Sequence, residues 1–277
     1  MQDPFKYLNA SFLITGLLAL SINSSPAANV SVTGLTEPVF DVTVSSSVAG
    51  KLDVQSVKLG EFVKKDQVLI VMRKEVEELD VKRKKLIWES KAELEAAEAN
   101  VTLKKHDYET TAKLLEATKS VSKEDVAIKK LEYVQAVAQR DSLAIIEERE
   151  QLDYELAQEG LSMRIIRSPL DGYVVERFFE VGEDCRAQEP LLRIVDTRRA
   201  FFVANMEARL GYQLKLGQEV EIEVDAGKAG EKFRGKVTYV APVVDPGSGL
   251  LKVKAVFENA DGRVKPGVSA RLKFSTN

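Results

Sequence analysis

The sequence predicts a mixed fold, in which β modules carry one long α-helical coiled-coil hairpin. Three observations predict it. No glycine occurs between Gly60 and Gly160, and no proline between Pro38 and Pro169. Both residues penalise helix interiors, so their joint absence marks a long helical region. The segments flanking this region repeat: Gly50, Gly60 and Leu69 on one side match Gly172, Gly182 and Leu191 on the other, at spacings of ten and nine in both copies. Beyond Asp196, short apolar or alternating runs are separated by frequent glycines, the pattern of a small β-barrel or sandwich.

From the N-terminus, Ala10 to Leu20 is an eleven-residue apolar run followed by a polar stretch and Pro26-Ala27-Ala28. Spanning a bilayer takes about 20 apolar residues, so the run reads as a secretory signal peptide over residues 1–28, with a short anchor as the alternative. Export would place the mature chain outside the cytoplasm.

Residues 29–73 and 161–196 are grouped as one β unit, because neither half is long enough to bury a core alone. Val42, Val44 and Val48, then Val54, Val57 and Leu59, mark its short strands. Between the halves, residues 74–160 hold 36 charged residues among 87, which suits a solvated hairpin better than a globular core. On its first arm Leu94, Ala97, Val101, Lys104, Tyr108, Thr111 and Leu115 follow alternating steps of four and three. On the second, Ile128, Leu131, Gln135, Ala138, Ser142, Ile145, Arg149, Leu152 and Leu156 do the same, and these two stripes are the expected seam. Leu86, Ser90 and Leu94 are spaced four and four, a stutter expected to unwind the supercoil locally. The turn falls near Thr118–Val121, and Ser122 with Asp125 reads as a capping-box start of the returning helix. Arms of about forty residues at 1.5 Å each give a rod of roughly 60 Å. Residues 197–277 form the last unit, with strands expected at 200–204, 219–224, 236–240, 251–257 and 269–274.

Forty Lys and Arg against forty-three Asp and Glu leave a net charge of −3, so no basic field favours nucleic acid as a partner. Cys185 is the only cysteine and His106 the only histidine, which excludes an intrachain disulfide and multi-cysteine or multi-histidine metal sites. Gly230, Gly235 and Lys236 imitate a phosphate-binding loop, but Val237 stands where Ser or Thr would hold magnesium, and the segment leads into a strand. His106 reads as a solvated helix residue and Cys185 as a small core or turn residue. No cofactor, metal or catalytic group is expected, and the chain reads as non-enzymatic.

Taken together, SSSVAGKLDVQSVKLGEFVKKDQVL, IRSPLDGYVVERFFEVGEDCRAQEPLLRIVD, the hairpin between them, and the strands within LKLGQEVEIEVDAG, FRGKVTYVAPVVDPGSG and VKPGVSARL resemble a periplasmic adaptor of the HlyD-like membrane fusion protein family. The resemblance implies a split lipoyl-like β domain with an inserted hairpin, followed by a small β-barrel. Gly50, Gly60, Gly172 and Gly182 then correspond to the lipoyl-like turn glycines. It also implies a periplasmic protein associated with the cell envelope, self-associating as a ring. Such a protein links an inner-membrane transporter (an RND pump or an ABC exporter) to an outer-membrane channel for efflux or secretion. Members that meet a TolC-like channel carry Arg, Leu and Ser at the hairpin tip; Leu115 and Ser122 fit that spacing, and Thr111 holds the arginine position. Leu115, at the end of a thin seam, is expected to have little core of its own to enter and to be free for a partner. A glycine of the family pattern is Asp66 here, and the chain ends three residues after Phe274, before the C-terminal part of the membrane-proximal domain of longer members. Two alternatives are a structural coiled-coil spacer and a lipoyl- or biotinyl-type carrier modified on a lysine such as Lys74.

Overall fold

The computed structural model describes residues 28–225 and 230–276; the exported-segment reading falls outside them, apart from Ala28. Strands β1 (Ala28–Ser45), β2 (Gly50–Gln55), β3 (Phe62–Val63) and β4 (Val68–Met72) lead into helices α1 (Glu75–Trp88), α2 (Ala92–Thr118) and α3 (Lys123–Ser162). The chain returns through β5 (Ile165–Arg167), β6 (Gly172–Arg177), β7 (Asp184–Cys185) and β8 (Pro190–Glu207). It finishes with α4 (Ala208–Gly211), β9 (Glu219–Val224), β10 (Glu231–Val240), β11 (Leu250–Glu258) and β12 (Ser269–Thr276).

Six antiparallel strands close the barrel in the order β1-β12-β9-β10-β11-β8, with β1 pairing back onto β8. Alternation sets its inside: Val220, Ile222 and Val224 of β9 and Leu251, Val253, Ala255 and Phe257 of β11 are buried, while Glu219 and Glu221 between them point outward or lie at the surface. Period-two alternation of this kind sends one face into the core and the other to water. Closure needs Gly34, because a Cβ there would lie 2.4 Å from the Val203 carbonyl oxygen and against the buried Phe202 ring. Gly235 lies inside β10, where a Cβ would meet Ile222 at 2.4 Å, so the segment that imitates a phosphate loop is a strand.

The first part of β1 corrects the grouping of residues 29–73. Residues 28–35 pair with 276–269 of β12, and Val30 and Val32 pack on the barrel core. Only the later part of β1 faces the second core, built from Leu52, Val63, Leu69 and Met72 on one side of the hairpin and Ile166, Val174, Cys185 and Leu191 on the other. Both β1 and β8 are 18 residues long and serve both cores, so no linker separates the units at residue 197. At the crossover Arg198 bonds the buried Asp196 carboxylate through Nε (3.0 Å) and Nη2 (2.9 Å), and reaches Asp171 at 3.1 Å. The neighbouring Asn259 side chain holds the Thr197 and Val264 carbonyls at 2.7 and 2.8 Å.

The two halves of the split unit are related by a constant offset, 172 − 50 = 122 residues. Each half bonds the turns of the other. Leu52 N–H donates to Glu183 O (2.9 Å) and Gly182 N–H to Leu52 O (2.8 Å), while Val174 N–H donates to Glu61 O (3.0 Å) and Gly60 N–H to Val174 O (2.8 Å). The buried hydroxyls of Ser46 and Ser168 each donate to the carbonyl two residues on, at 2.5 and 2.6 Å.

Candidate functional site

Gly60 (φ +82°) and Gly182 (φ +92°) occupy the left-handed position of equivalent turns with open space around them. Each turn is locked by the acid that follows, with Glu61 accepting from Lys58 N–H at 2.9 Å and Glu183 from Glu180 N–H at 2.8 Å. Gly50 and Gly172 act through close approach instead. A Cβ at Gly172 would sit 2.7 Å from the Val195 carbonyl, and one at Gly50 2.4 Å from the Arg164 guanidinium. Where the family pattern has glycine, Asp66 adopts φ +65°, and its counterpart Gln188 adopts φ +67°. The turn is therefore kept with its left-handed residue and only the glycine is lost. These four glycines build the mounting of the hairpin and do not converge on one site.

The rod rises from this mounting. Lys74 is the N-cap residue of α1 and pairs with Glu78 at 2.6 Å, at a helix start where a carrier lysine would need a protruding β-turn. Arg164, just past α3, ties the base together by bonding Glu77 (2.6 Å) and the Ala49 carbonyl (2.8 Å).

The outgoing arm is two helices. It breaks at Glu89–Lys91, at the stutter, and the return arm runs unbroken for 40 residues beside both. A four-and-four step drifts off the seam, and the chain resolves this by ending α1 and restarting α2. Trp88 closes α1 by stacking on Tyr154 (5.3 Å), and Lys91 opens α2 with an ion pair to Glu147 (2.7 Å). The expected stripe on α2, Leu94 to Leu115, is the half-buried one. On α3 the expected stripe is not: Ile128, Leu131, Ile145, Leu152 and Leu156 are all exposed. The half-buried or buried line on α3 is Val126, Lys129, Tyr133, Ala136, Arg140, Leu143, Glu147, Glu150, Tyr154, Ala157 and Leu161, which steps three and four just as regularly. The inner seam is held largely by charge and aromatic contact: Lys104–Glu132 (2.8 Å), Lys84–Asp153 (3.1 Å) and the Tyr108–Tyr133 stack (6.3 Å). Lys104 and Lys129 hold the Glu132 carboxyl below the usual carboxylate range, mainly through their hydrogen bonds.

At the tip, Lys119 turns the chain in the left-handed region (φ +54°). Ser122 starts α3 with a full capping box: its hydroxyl accepts from Asp125 N–H at 3.0 Å, and the Asp125 carboxylate accepts from Ser122 N–H at 2.9 Å. The Asp125 pKa is lowered, chiefly by the hydrogen bond that the Ser122 hydroxyl also donates to its carboxylate (2.7 Å) and then by that from Ser122 N–H. Thr111 is half-buried and donates its hydroxyl to the Asp107 carbonyl at 2.7 Å. Leu115 is half-buried on the seam line, against the expectation that it has no core to enter, whereas Leu114 beside it is exposed. Thr111, Leu115 and Ser122 thus sit at one end of the rod but present different things: two face the seam and one caps a helix. Leu114 is the apolar tip residue that sequence reasoning missed, since its neighbour continues the heptad and drew the assignment.

No group of acidic, histidine or cysteine side chains that could hold a metal occurs among the described residues, His106 is exposed, and Cys185 is buried in the core. No helix of the described residues is long and apolar enough to cross a membrane.

Comparison with known proteins adds to this geometry. The family described as CusB-like, beta-barrel domain matches residues 203–277. The macrolide export protein MacA of Escherichia coli O157:H7 is 26% identical over 250 residues, covering 88% of this chain and 67% of MacA. Over most of its length the chain is thus similar to MacA, and its last part matches the CusB-like barrel family. The nodulation protein NolF of Rhizobium meliloti (strain 1021) is 23% identical over 251 residues, covering 91% of this chain and 64% of NolF. Among solved structures, MacA from Actinobacillus actinomycetemcomitans superposes with a TM-score of 0.70 at 20% identity, covering 91% of this chain and 79% of that one. The chain spans 57% to 67% of the length of its first curated relatives.

Proposed function

We propose that this protein is a membrane fusion protein, a non-enzymatic periplasmic adaptor joining an inner-membrane transporter (an RND pump or an ABC exporter) to an outer-membrane exit duct. The observation that carries the reading is mechanical. A rod of roughly 60 Å stands on a base whose two 18-residue strands continue without a linker into the barrel, so a contact at the barrel fixes the direction in which the tip points. The relative named for macrolide export makes export the activity to test.

In this reading the barrel side engages the transporter, while the tip, with Thr111, Leu115 and Ser122 shaping it and Leu114 facing outward, meets a TolC-like channel. Self-association as a ring would set hairpins side by side. The exposed stripe on the back of α3 is suited to that contact: with apolar faces on opposite sides, a helix can join neighbours on both. The test is affinity purification of the full chain from detergent-solubilised membranes of its host. Co-purification of an integral transporter is expected. Recovery of the chain without one, together with unchanged export in a strain lacking the chain, refutes the proposal.

A further inference from the structure

The split unit and the barrel are joined by β1 and β8, and the strand pairing lapses where these cross from one core to the other. On β8, residues 192–195 pair with β6 and residues 199–207 with β11, while Thr197 and Arg198 have no strand partner among the described residues. Opposite them, β1 passes from Pro38, level with Ala200, to Phe40, level with Asp196, so Val39 alone faces residues 197–199. Such a bulge bends a strand and leaves its extra residues outside the ladder. Hinges form at a few positions like these, which absorb a rotation without breaking ladder bonds.

Polar groups grip the gap from both sides. From the barrel, Asn259 donates its N–H to the Arg198 carbonyl (2.8 Å) and its side chain to the Thr197 carbonyl (2.7 Å). That side chain is itself fixed by Val264, to whose carbonyl it donates at 2.8 Å and whose N–H it accepts at 3.0 Å. From the split unit, Asp171 reaches across. One of its oxygens accepts from Lys65 N–H at 2.8 Å, and the other from Arg198 Nη1 at 3.1 Å. The buried Asp196 aims Arg198 at this partner, because its two oxygens take Nε and Nη2 and a forked contact fixes the guanidinium plane. The two grips differ in strength. Asn259 is 3% exposed, whereas the Arg198 and Asp171 side chains are 49% and 37% exposed and share one bond, a contact that water and salt weaken.

We propose that Thr197–Arg198 is a hinge between the barrel and the rod-bearing unit, and that Arg198 is the positioning residue that latches it through Asp171. Asn259 keeps the two hinge residues with the barrel. Opening the latch therefore lets the split unit and its rod swing while both cores stay packed. The rod gives this motion leverage: over roughly 60 Å, a turn of about 10° at the joint displaces the tip by roughly 10 Å. Latched, the joint passes the direction of the barrel to the tip; unlatched, it lets the tip sweep an arc.

The proposal rests on the adaptor reading only for what the tip then meets. The joint is measured without transporter or channel, so its failure would leave that reading standing. In the full chain carrying Cys185→Ala, nitroxide labels are placed at the exposed positions Lys252→Cys in the barrel and Glu148→Cys on α3, and their separation is read by pulsed electron paramagnetic resonance. With the latch residues intact and at low salt, one narrow distance peak is expected. Arg198→Ala and Asp171→Asn should each lose that peak to a broad distribution. Asp171→Asn changes only the exposed end of the latch and keeps an acceptor for Lys65 N–H, and an unchanged circular dichroism spectrum checks that it is folded. Added salt should broaden the peak of the intact latch by screening the exposed bond and leave the Asp171→Asn distribution as it was. Peaks as narrow in both variants as with the latch intact would overturn the proposal. Broadening in only one of the two variants would place the restraint in another contact and overturn it equally.

Discussion

Asp66 and Gln188 hold left-handed backbone conformations at exposed positions, and in such a conformation a side chain costs roughly 1 kcal/mol that glycine avoids. Gln188→Gly should therefore leave stability unchanged or raise it by up to about 1 kcal/mol, since glycine's unfolded-state entropy offsets part of the relief. Gly172→Ala should do the reverse and cost about 1–3 kcal/mol, because its Cβ would meet the Val195 carbonyl. Denaturant unfolding of the two variants checks both signs. Asp196 adds a pH dependence. Its carboxylate is buried and bonded to Arg198, and this hydrogen bond, more than burial opposes it, lowers its pKa. A carboxyl whose pKa is depressed on folding contributes stability that is present above its unfolded value of about 3.9 and is lost as pH falls through the folded value. Asp196→Asn should thus lower stability at pH 7 and narrow its gap from wild type as the pH drops below about 4. A gap that stays constant from pH 7 to 3 would contradict this.

The helices show where apolar patterning identifies a contact and where it misleads. On α2 the stripe from Leu94 to Leu115 is the seam, since no competing apolar line exists on that helix. On α3 two lines of equal period compete, and the more hydrophobic one, with Ile128, Leu131, Ile145, Leu152 and Leu156, lies outside. Hydrophobicity ranks the lines wrongly because the inner line and its flanks are matched to the lysines of the first arm: Glu147, on the line, pairs with Lys91, and Glu132, beside it, pairs with Lys104 of the seam. Those pairings were the available signal. The same lesson holds at the tip, where the heptad put Leu115 in the seam and left Leu114 outside. Leu115→Asp should destabilise the hairpin by about 1–3 kcal/mol through burial of a charge against the seam, and Leu114→Asp by less than about 1 kcal/mol. Far-UV circular dichroism during thermal unfolding separates them, so Leu114→Asp is the cleaner probe of channel contact. The break at Glu89–Lys91 gives α1 a stability of its own. Trp88→Ala removes its stack on Tyr154, and amide exchange should rise over residues 75–88 while residues 92–118 stay protected. Equal exchange in both helices would mean that the outgoing arm opens as one piece.

Across the whole molecule, the repeat at an offset of 122 made the split unit readable, and the spaced glycines made the barrel strands readable. The sharing of β1 was not legible, because residues 28–35 alternate equally well for either core and only the pairing with β12 decides between them. This sharing carries a prediction. With residues 75–162 replaced by a short turn, the remaining β protein should unfold in a single transition, because β1 and β8 run through both cores. Two resolved transitions in calorimetry would show that the cores are energetically separate. The pairing of Ala28 with Thr276 also sets a clock. The earliest described strand waits for the latest, 276 − 28 = 248 residues on, which at ribosomal rates of about 5–20 residues per second is an interval of roughly 10 to 50 s. Until then the barrel cannot close, however much of the chain has been made, and the leading segment stays threadable. In the proposed export through a narrow pore before folding, the order of its own strands would supply the delay.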